Sequence, residues 1–480
     1  MTSTILLDSL RVWQPEAMLS AGALLVLLIG AWGEERAKLA QGVAWITLAA
    51  SGCCLLVAQP ATTPSFFGFI FLDAFALAMR WIALGSVALT LLLLTASHDV
   101  KPSVRAESIG LLLLVGVGLM LMAEAHHLLM AYLAMELVSL GSYVLVGFPD
   151  EPRAAEGALK YLLFGAMSSG IMLFGMSLLF GATGALAFPD LGRAVAALSP
   201  AAHGTVLIAV ALLLAGLAFK ISMVPFHMWT PDVYEGAPVP VTAFLSVGPK
   251  AAGFALLLRI TSALKPAWPA LGPLILALTL VTMTFGNLAA LTQTNVKRLL
   301  AYSTIGQVGY LLIGFAVGTP EGFSGILFYL VAYLFMNVGA FACVVAVVNE
   351  TGSESLDAFR GLARRAPALA CFCAIFLLSL AGMPPLLGFF GKFLLFGAAL
   401  SAHQPILAIA GILNSAIALY YYVNIIRLMY LLAPSTAAPL IPPAAIRWAV
   451  AVCAAATLLF GLFPGPLLDG IRSSRIANLL

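Results

Sequence analysis

The chain has 480 residues, of which 62% are hydrophobic and only 9% charged, against about 25% charged in ordinary soluble domains. That balance excludes a water-soluble fold, and a net charge of +3 carried by scattered basic residues excludes both a nucleic-acid surface and a polybasic lipid-binding tract. Six cysteines lie inside apolar stretches, none in a C-x-x-C spacing, and read as small buried hydrophobes.

About 20 apolar residues cross the hydrocarbon core, and only helices or closed barrels satisfy their backbone there. The apolar runs have helical length. The first, 15–33, follows Arg11 like a secretion signal, but its flank of Glu34, Glu35 and Arg36 lacks a small-residue cleavage site, so it reads as a retained span. Further spans follow near 41–59, 72–96, 106–124, 127–147, 153–180, 203–234, 237–263, 268–291, 297–317, 322–349, 367–401, 405–431 and 445–467. The expected fold is all-α: a polytopic membrane protein of about fourteen transmembrane helices.

Connections after odd-numbered spans hold Arg36, Lys38, Lys101, Arg105, Arg153, Lys297, Arg298, Arg360, Arg364 and Arg365, while even ones hold little beyond Arg193 and Lys265. By the positive-inside rule the odd connections are cytoplasmic, with both termini on the outer side. Three spans are overlong and carry a breaker near the middle: Pro225 in 203–234, Gly248-Pro249 in 237–263, and Gly382-Met383-Pro384-Pro385 in 367–401. Proline removes a backbone donor and clashes one turn back, so these three helices are expected to be discontinuous. Freed backbone inside a membrane must be buried in protein or face water, which points to a transport site; a packing kink is the simpler alternative for each.

Ionisable residues fall within or beside these breaks. Glu136 lies midway along 127–147, Lys220 just before Pro225, Lys250 directly after Pro249, and Lys392 after the Pro-Pro pair. Each is costly at mid-membrane and is expected to face a partner or a wet cavity. A buried ammonium without a partner holds its proton weakly, and an approaching carboxylate strengthens that hold, so Glu136 opposite Lys220 would make a two-state electrostatic switch for proton transfer. A structural ion pair is the competing reading. Lys160, early in its span, is a weaker candidate that could equally snorkel to the interface.

Polar residues at helical spacing could carry water between the charges: Tyr132, Glu136, Ser139 and Tyr143 on one face, and the pairs Ser303 with Gln307 and Tyr333 with Asn337. Interhelical hydrogen bonding would explain each pair as well. His227, seven residues after Lys220 and across the proline, suits a relay or water-binding role, with packing as the alternative. His126 and His127 sit at a helix start and the cysteines lack cluster spacing, so no haem, iron–sulfur or other metal site is expected. There is no G-x-x-x-x-G-K-[ST] loop, so nucleotide hydrolysis is not the energy source.

Spans four to eight and nine to thirteen can be laid over one another, each with a broken fourth member. Five helices are an odd number, so successive copies run in opposite senses, as two inverted repeats. The chain then divides into 1–105 with three helices, 106–265, 266–432, and a C-terminal helix within 433–480.

The segment FKISMVPFHMWTPDVYEGAPVPVTAFLSVGPKAAGFA at 219–255 resembles the signature of the proton-pumping antiporter-like subunits of respiratory complex I, and most of all subunit N of NADH:quinone oxidoreductase. AYLAMELVSLGSY at 131–143, NVKRLLAYSTIGQVGY at 295–310 and LSLAGMPPLLGFFGKF at 378–393 support it. The first three spans and the last match mainly in number and hydrophobicity. The resemblance implies that Glu136, Lys220, Lys250 and Lys392 transfer protons. It also implies that flavin, iron–sulfur clusters and quinone belong to partner subunits, and that this chain, carrying no redox centre, sits in a bacterial inner membrane among other membrane-arm subunits and lipid. Lys392 separates it from the related subunit M, which has a glutamate there. Cation/proton antiporter and membrane-bound hydrogenase subunits share the fold and remain alternatives.

Overall fold

The computed structural model describes residues 9–33, 36–199, 202–434 and 438–474. Among them there is no strand, only four isolated bridges; everything else of regular structure is helix, because unbroken helices keep their hydrogen bonds within one segment. An N-terminal trio comprises α1 (Gln14–Gly30), α2 (Ala37–Val57) and α3 (Ala74–Ala96). Then follow α4 (Arg105–Glu124), α5 (Leu128–Gly147), α6 (Pro152–Thr183), α7 (Phe188–Ala197), α8 (His203–Ile221), α9 (Trp229–Gly236) and α10 (Val239–Ala263). The second half holds α11 (Trp268–Ala290), α12 (Val296–Val317), α13 (Pro320–Thr351), α14 (Leu362–Arg365), α15 (Pro367–Ala381), α16 (Leu387–Ser401) and α17 (Pro405–Leu431). The chain closes with α18 (Ala444–Leu462) and α19 (Gly465–Ser473).

Among the described residues, twelve helices are long and apolar enough to cross a membrane. With α1 as one more and the pair α15–α16 as a single broken crossing, the expected fourteen are accounted for. Expectation and structure part at three places. The span 237–263 is not discontinuous: α10 runs unbroken through Pro249. It tolerates the proline because the whole of its membrane-crossing stretch is buried in protein, and because the carbonyl that the missing N–H leaves free, Leu245 O, is met by Lys250 Nζ at 3.5 Å. A second, short helix, α19, follows the C-terminal span. Finally, three cysteines are buried, but Cys53 and Cys371 are exposed and Cys54 half-exposed on outward faces.

The two repeats share more than helix order. Their third members, α6 and α13, are both 32 residues long, begin with proline and end on a left-handed glycine, Gly184 and Gly352. An isolated bridge joins the residue before the second helix to the turn after the third in each copy, His127 to Ala187 and Asn295 to Ser355. The flanking bonds match as well: Leu128 N to Leu186 O at 2.8 Å and Phe188 N to His126 O at 3.0 Å, against Val296 N to Glu354 O at 2.8 Å and Leu356 N to Thr294 O at 2.9 Å.

The fourth member breaks in the same way in each copy. Helix α8 ends on left-handed Ser222 and α15 on left-handed Gly382, with Met223 N reaching Ala218 O at 2.8 Å and Met383 N reaching Leu378 O at 3.0 Å, the six-to-one closure of a Schellman cap. Helix α10 is enclosed by its neighbours along its whole membrane-crossing stretch. Helices α2, α6, α11, α17 and α18 form the periphery, where Ile46, Phe174, Ile409 and Leu413 point outward, as lipid or a neighbouring subunit requires.

Candidate functional site

Lys220, Lys250 and Lys392 are enclosed within the chain, at 1%, 1% and 3% exposure. Their ammonium groups are held by short polar side chains and carbonyls rather than by carboxylates. Lys220, in the last turn of α8, donates to Ser139 Oγ at 3.0 Å. Ser139 lies on α5 one turn from Glu136, whose carboxylate accepts from Ser169 Oγ of α6. Glu136 thus forms no ion pair with Lys220: it stands half-buried at the rim of the chain, and Lys220 bonds Ser139 instead. The expected facing of Tyr132, Glu136, Ser139 and Tyr143 divides accordingly, with Tyr132 and Glu136 at the rim and Ser139 and Tyr143 inside.

Two residues beyond Lys220, left-handed Ser222 carries the path to α10. Its Oγ accepts from Lys250 Nζ at 3.1 Å and from Thr230 Oγ1 at 2.7 Å, while the Trp229 and Tyr234 rings lie 5.2 and 5.3 Å from the ammonium, close enough for cation–π attraction. A serine with φ near +63° is uncommon, and nothing in the sequence announces it.

Between Lys250 and Lys392 runs a file of buried polar side chains. Asn337 Nδ2 donates to Ser246 Oγ at 2.6 Å; one turn back on α13, Tyr333 donates to Thr304 Oγ1 at 2.9 Å. On α12, Ser303 and Gln307 both meet Tyr422, and Gln307 Nε2 also donates to Leu380 O at 3.0 Å while its Oε1 accepts from Tyr329. Tyr310 then places its ring 4.1 Å from Lys392 Nζ, which donates to Ala381 O at 3.1 Å and Ser415 Oγ at 3.2 Å. Ala381 is the last residue of α15, so the ammonium completes an orphan carbonyl at a negative helix end.

Ser303, Gln307, Tyr333 and Asn337 all lie in this file, each in a hydrogen bond between helices, the arrangement that interhelical packing alone would also give. Tyr329, Tyr422, Ser415 and Ser222 complete it; they were missed because isolated hydroxyls on apolar helices carry no periodic signal. Asn337→Leu is expected to leave the fold intact and slow proton delivery to Lys392, read as proton pumping at unchanged subunit content.

The other expected residues lie outside this file. His227 sits in the α8–α9 break with its ring edge-on to Phe285 at 4.7 Å, and it contacts none of the three lysines by hydrogen bond. Lys160 is paired with Glu156 and Asp232, both at 2.7 Å, and is 37% exposed; Arg298 bridges Asp232 and Glu235 at 2.8 and 2.9 Å. This ion-pair network borders a cleft of about 670 Å³ lined by residues of five odd connections, among them Asp99, Arg153, Ala237, Lys297 and Glu354. A second cleft, of about 660 Å³, is lined by residues of even connections and adjoining helix ends, including Asp73, His126 and Arg259. Burial and the Arg259 charge lower the proton affinity of His126.

Comparison with known proteins bears directly on this arrangement. The family described as NADH:quinone oxidoreductase/Mrp antiporter, transmembrane, matches residues 125–418, which include all four expected proton-transfer residues. NADH-quinone oxidoreductase subunit N 2 of Sorangium cellulosum is 43% identical over 97% of both chains. The chain belongs to the subunit N family of NADH-quinone oxidoreductase. A chain of respiratory complex I from Thermus thermophilus, solved with bound aureothin, is 31% identical and superposes with a TM-score of 0.82 over 96% of this chain and 99% of that one. A chain of the Mrp complex from Dietzia sp. DQ12-45-1b, at 22% identity and a TM-score of 0.84 over 98% and 97% of the two chains, shares the fold. As a member of the subunit N family, this chain is an antiporter-like membrane subunit of a proton-translocating oxidoreductase complex, and other complex I subunits are its partners.

Proposed function

We propose that protons pass through this chain along Lys220, Lys250 and Lys392, with Glu136 setting the charge state of Lys220 through Ser139, while NADH oxidation and quinone reduction proceed in partner subunits. The observation that carries this reading is the file of buried polar side chains from Ser139 to Ser415 that holds all three ammonium groups. Lysines held by neutral hydroxyls and carbonyls can lose a proton without stranding a carboxylate partner.

Protons would enter from the cleft formed by the odd connections, past Lys160 and Asp232, and leave on the opposite side. The clustering of Arg153, Lys297 and Arg298 near that cleft supports a cytoplasmic placement, with both termini outside, in a bacterial inner membrane. His227 would bind water at the α8–α9 break, and Tyr132 would orient Glu136. The division 1–105, 106–265, 266–432 and 433–480 serves this reading: each repeat supplies one broken helix, and the unbroken α10 links them. The chain itself would carry no cofactor, since His127 Nδ1 is engaged in capping α5 and His126 packs against Phe71 and Phe188. Its neighbours would be other membrane-arm subunits and lipid.

Proton-pumping stoichiometry in vesicles bearing the Lys220→Ala complex tests this. Weakened pumping with slower quinone-linked turnover is expected. Sodium-dependent exchange without redox partners would favour a cation/proton antiporter instead, and full pumping by a Lys220→Ala/Glu136→Ala double variant would reduce the charges to structural staples.

A further inference from the structure

A second group of buried charges lies apart from the lysine file, where the N-terminal trio meets α4. Arg80 of α3 faces two glutamates: Glu16 of α1, with Oε1 at 2.8 Å from Arg80 Nε and Oε2 at 2.9 Å from Nη2, and Glu124 of α4, whose Oε1 also meets Nε. Nη2 donates to Val12 O at 3.0 Å as well. All three side chains have 0% exposure. Two carboxyl oxygens converge on one N–H, which can fully satisfy only one of them, while Glu124 Oε2 and Arg80 Nη1 are buried with no hydrogen-bond partner.

With both carboxyls ionised the enclosure would carry a net negative charge out of reach of water, where an uncompensated ion is strongly disfavoured. On the elements that carry the cluster, Asp73 caps α3, His126 follows Glu124 by two residues, and Arg259 of α10 reaches Ala123 O. Asp73 and Arg259 are paired with each other at 2.7 Å, so neither neutralises the excess. Helix α2 contributes Ser51, bonded to Pro15 O, and Arg11 before α1 is exposed.

We propose that Glu16, Glu124 and Arg80 form a proton-binding site, separate from the lysine file, that holds one proton between its two carboxyl groups. One carboxylate then balances Arg80, and the protonated carboxyl donates to its neighbour.

Infrared difference spectra of the assembled complex test this, wild type minus Glu16→Gln and wild type minus Glu124→Gln. Each variant is neutral without a proton, so both are expected to assemble, and both differences should show loss of a protonated-carboxyl band. Loss of only a carboxylate band in both would overturn the proposal. A Glu16→Gln/Glu124→Gln double variant leaves Arg80 without a counter-charge and is expected not to assemble, with assembly restored by adding Arg80→Met. Normal assembly of the double variant with Arg80 intact would overturn the one-carboxylate balance.

Discussion

Replacing Lys250 with methionine is expected to abolish proton pumping while leaving the subunit assembled. Methionine fills nearly the same space without a charge; it leaves Leu245 O without its donor, a cost of about 1–3 kcal/mol, which no longer burying an ammonium offsets. What disappears is the lysine standing between Lys220 and Lys392, so flux should fall by about a hundredfold or more, the scale on which one positioned proton-transfer group acts. Lys250→Arg makes the comparison sharp. Arginine keeps the charge but does not release its proton in proteins, so it should be as inactive as methionine. Proton uptake per NADH oxidised, measured in vesicles for both variants, decides the matter; normal pumping by either would exclude Lys250 as a carrier.

The second large effect is structural. Helices α11 and α12 approach so closely that a Cβ on Gly286 would meet the Gly306 backbone and Tyr302 O, and one on Gly309 would meet the Met283 backbone. Small residues are what allow such contact between membrane helices, where no hydrophobic force drives association. Overpacking typically costs about 1–3 kcal/mol, and backbone atoms cannot swing aside as side chains do. Gly286→Ala and Gly309→Ala are therefore expected to lower the amount of assembled subunit, measured in membranes by immunoblot after native electrophoresis. Gly170→Ala, whose Cβ would meet nothing within 4 Å, serves as the control.

Much of this architecture is legible in the residues because a membrane leaves so few solutions for an apolar chain. The spans, the two broken helices at Pro225 and Pro384-Pro385, and the burial of all three lysines follow from hydrophobic run length and the cost of charge in hydrocarbon. The Gly248-Pro249 pair misleads for a physical reason. A proline breaks a helix only when the carbonyl it strands has nowhere to turn, and here the very next residue, Lys250, supplies the donor. That Lys220 bonds Ser139 rather than pairing directly with Glu136 is not legible, because helical spacing orders residues on one helix but cannot say which of them a neighbouring helix will meet. The Arg80 cluster was invisible: Glu16, Arg80 and Glu124 lie far apart in the chain, near span ends where interfacial charge is ordinary.

The two lysines of the broken helices do not occupy equivalent places along the chain: Lys220 precedes its break and Lys392 follows its own. Aligning the halves on the left-handed residues Ser222 and Gly382 sets Lys220 beside apolar Leu380. Yet Lys392 folds back across the break to Ala381 O, so its ammonium lies at the final turn of α15, while Lys220 stands in the final turn of α8 and reaches out to Ser139. Each broken helix thus carries a positive charge near the end of its first half, attached on opposite sides of the gap, so a lysine moved to position 380, with Lys392 neutralised, is expected to approach that turn as Lys220 does.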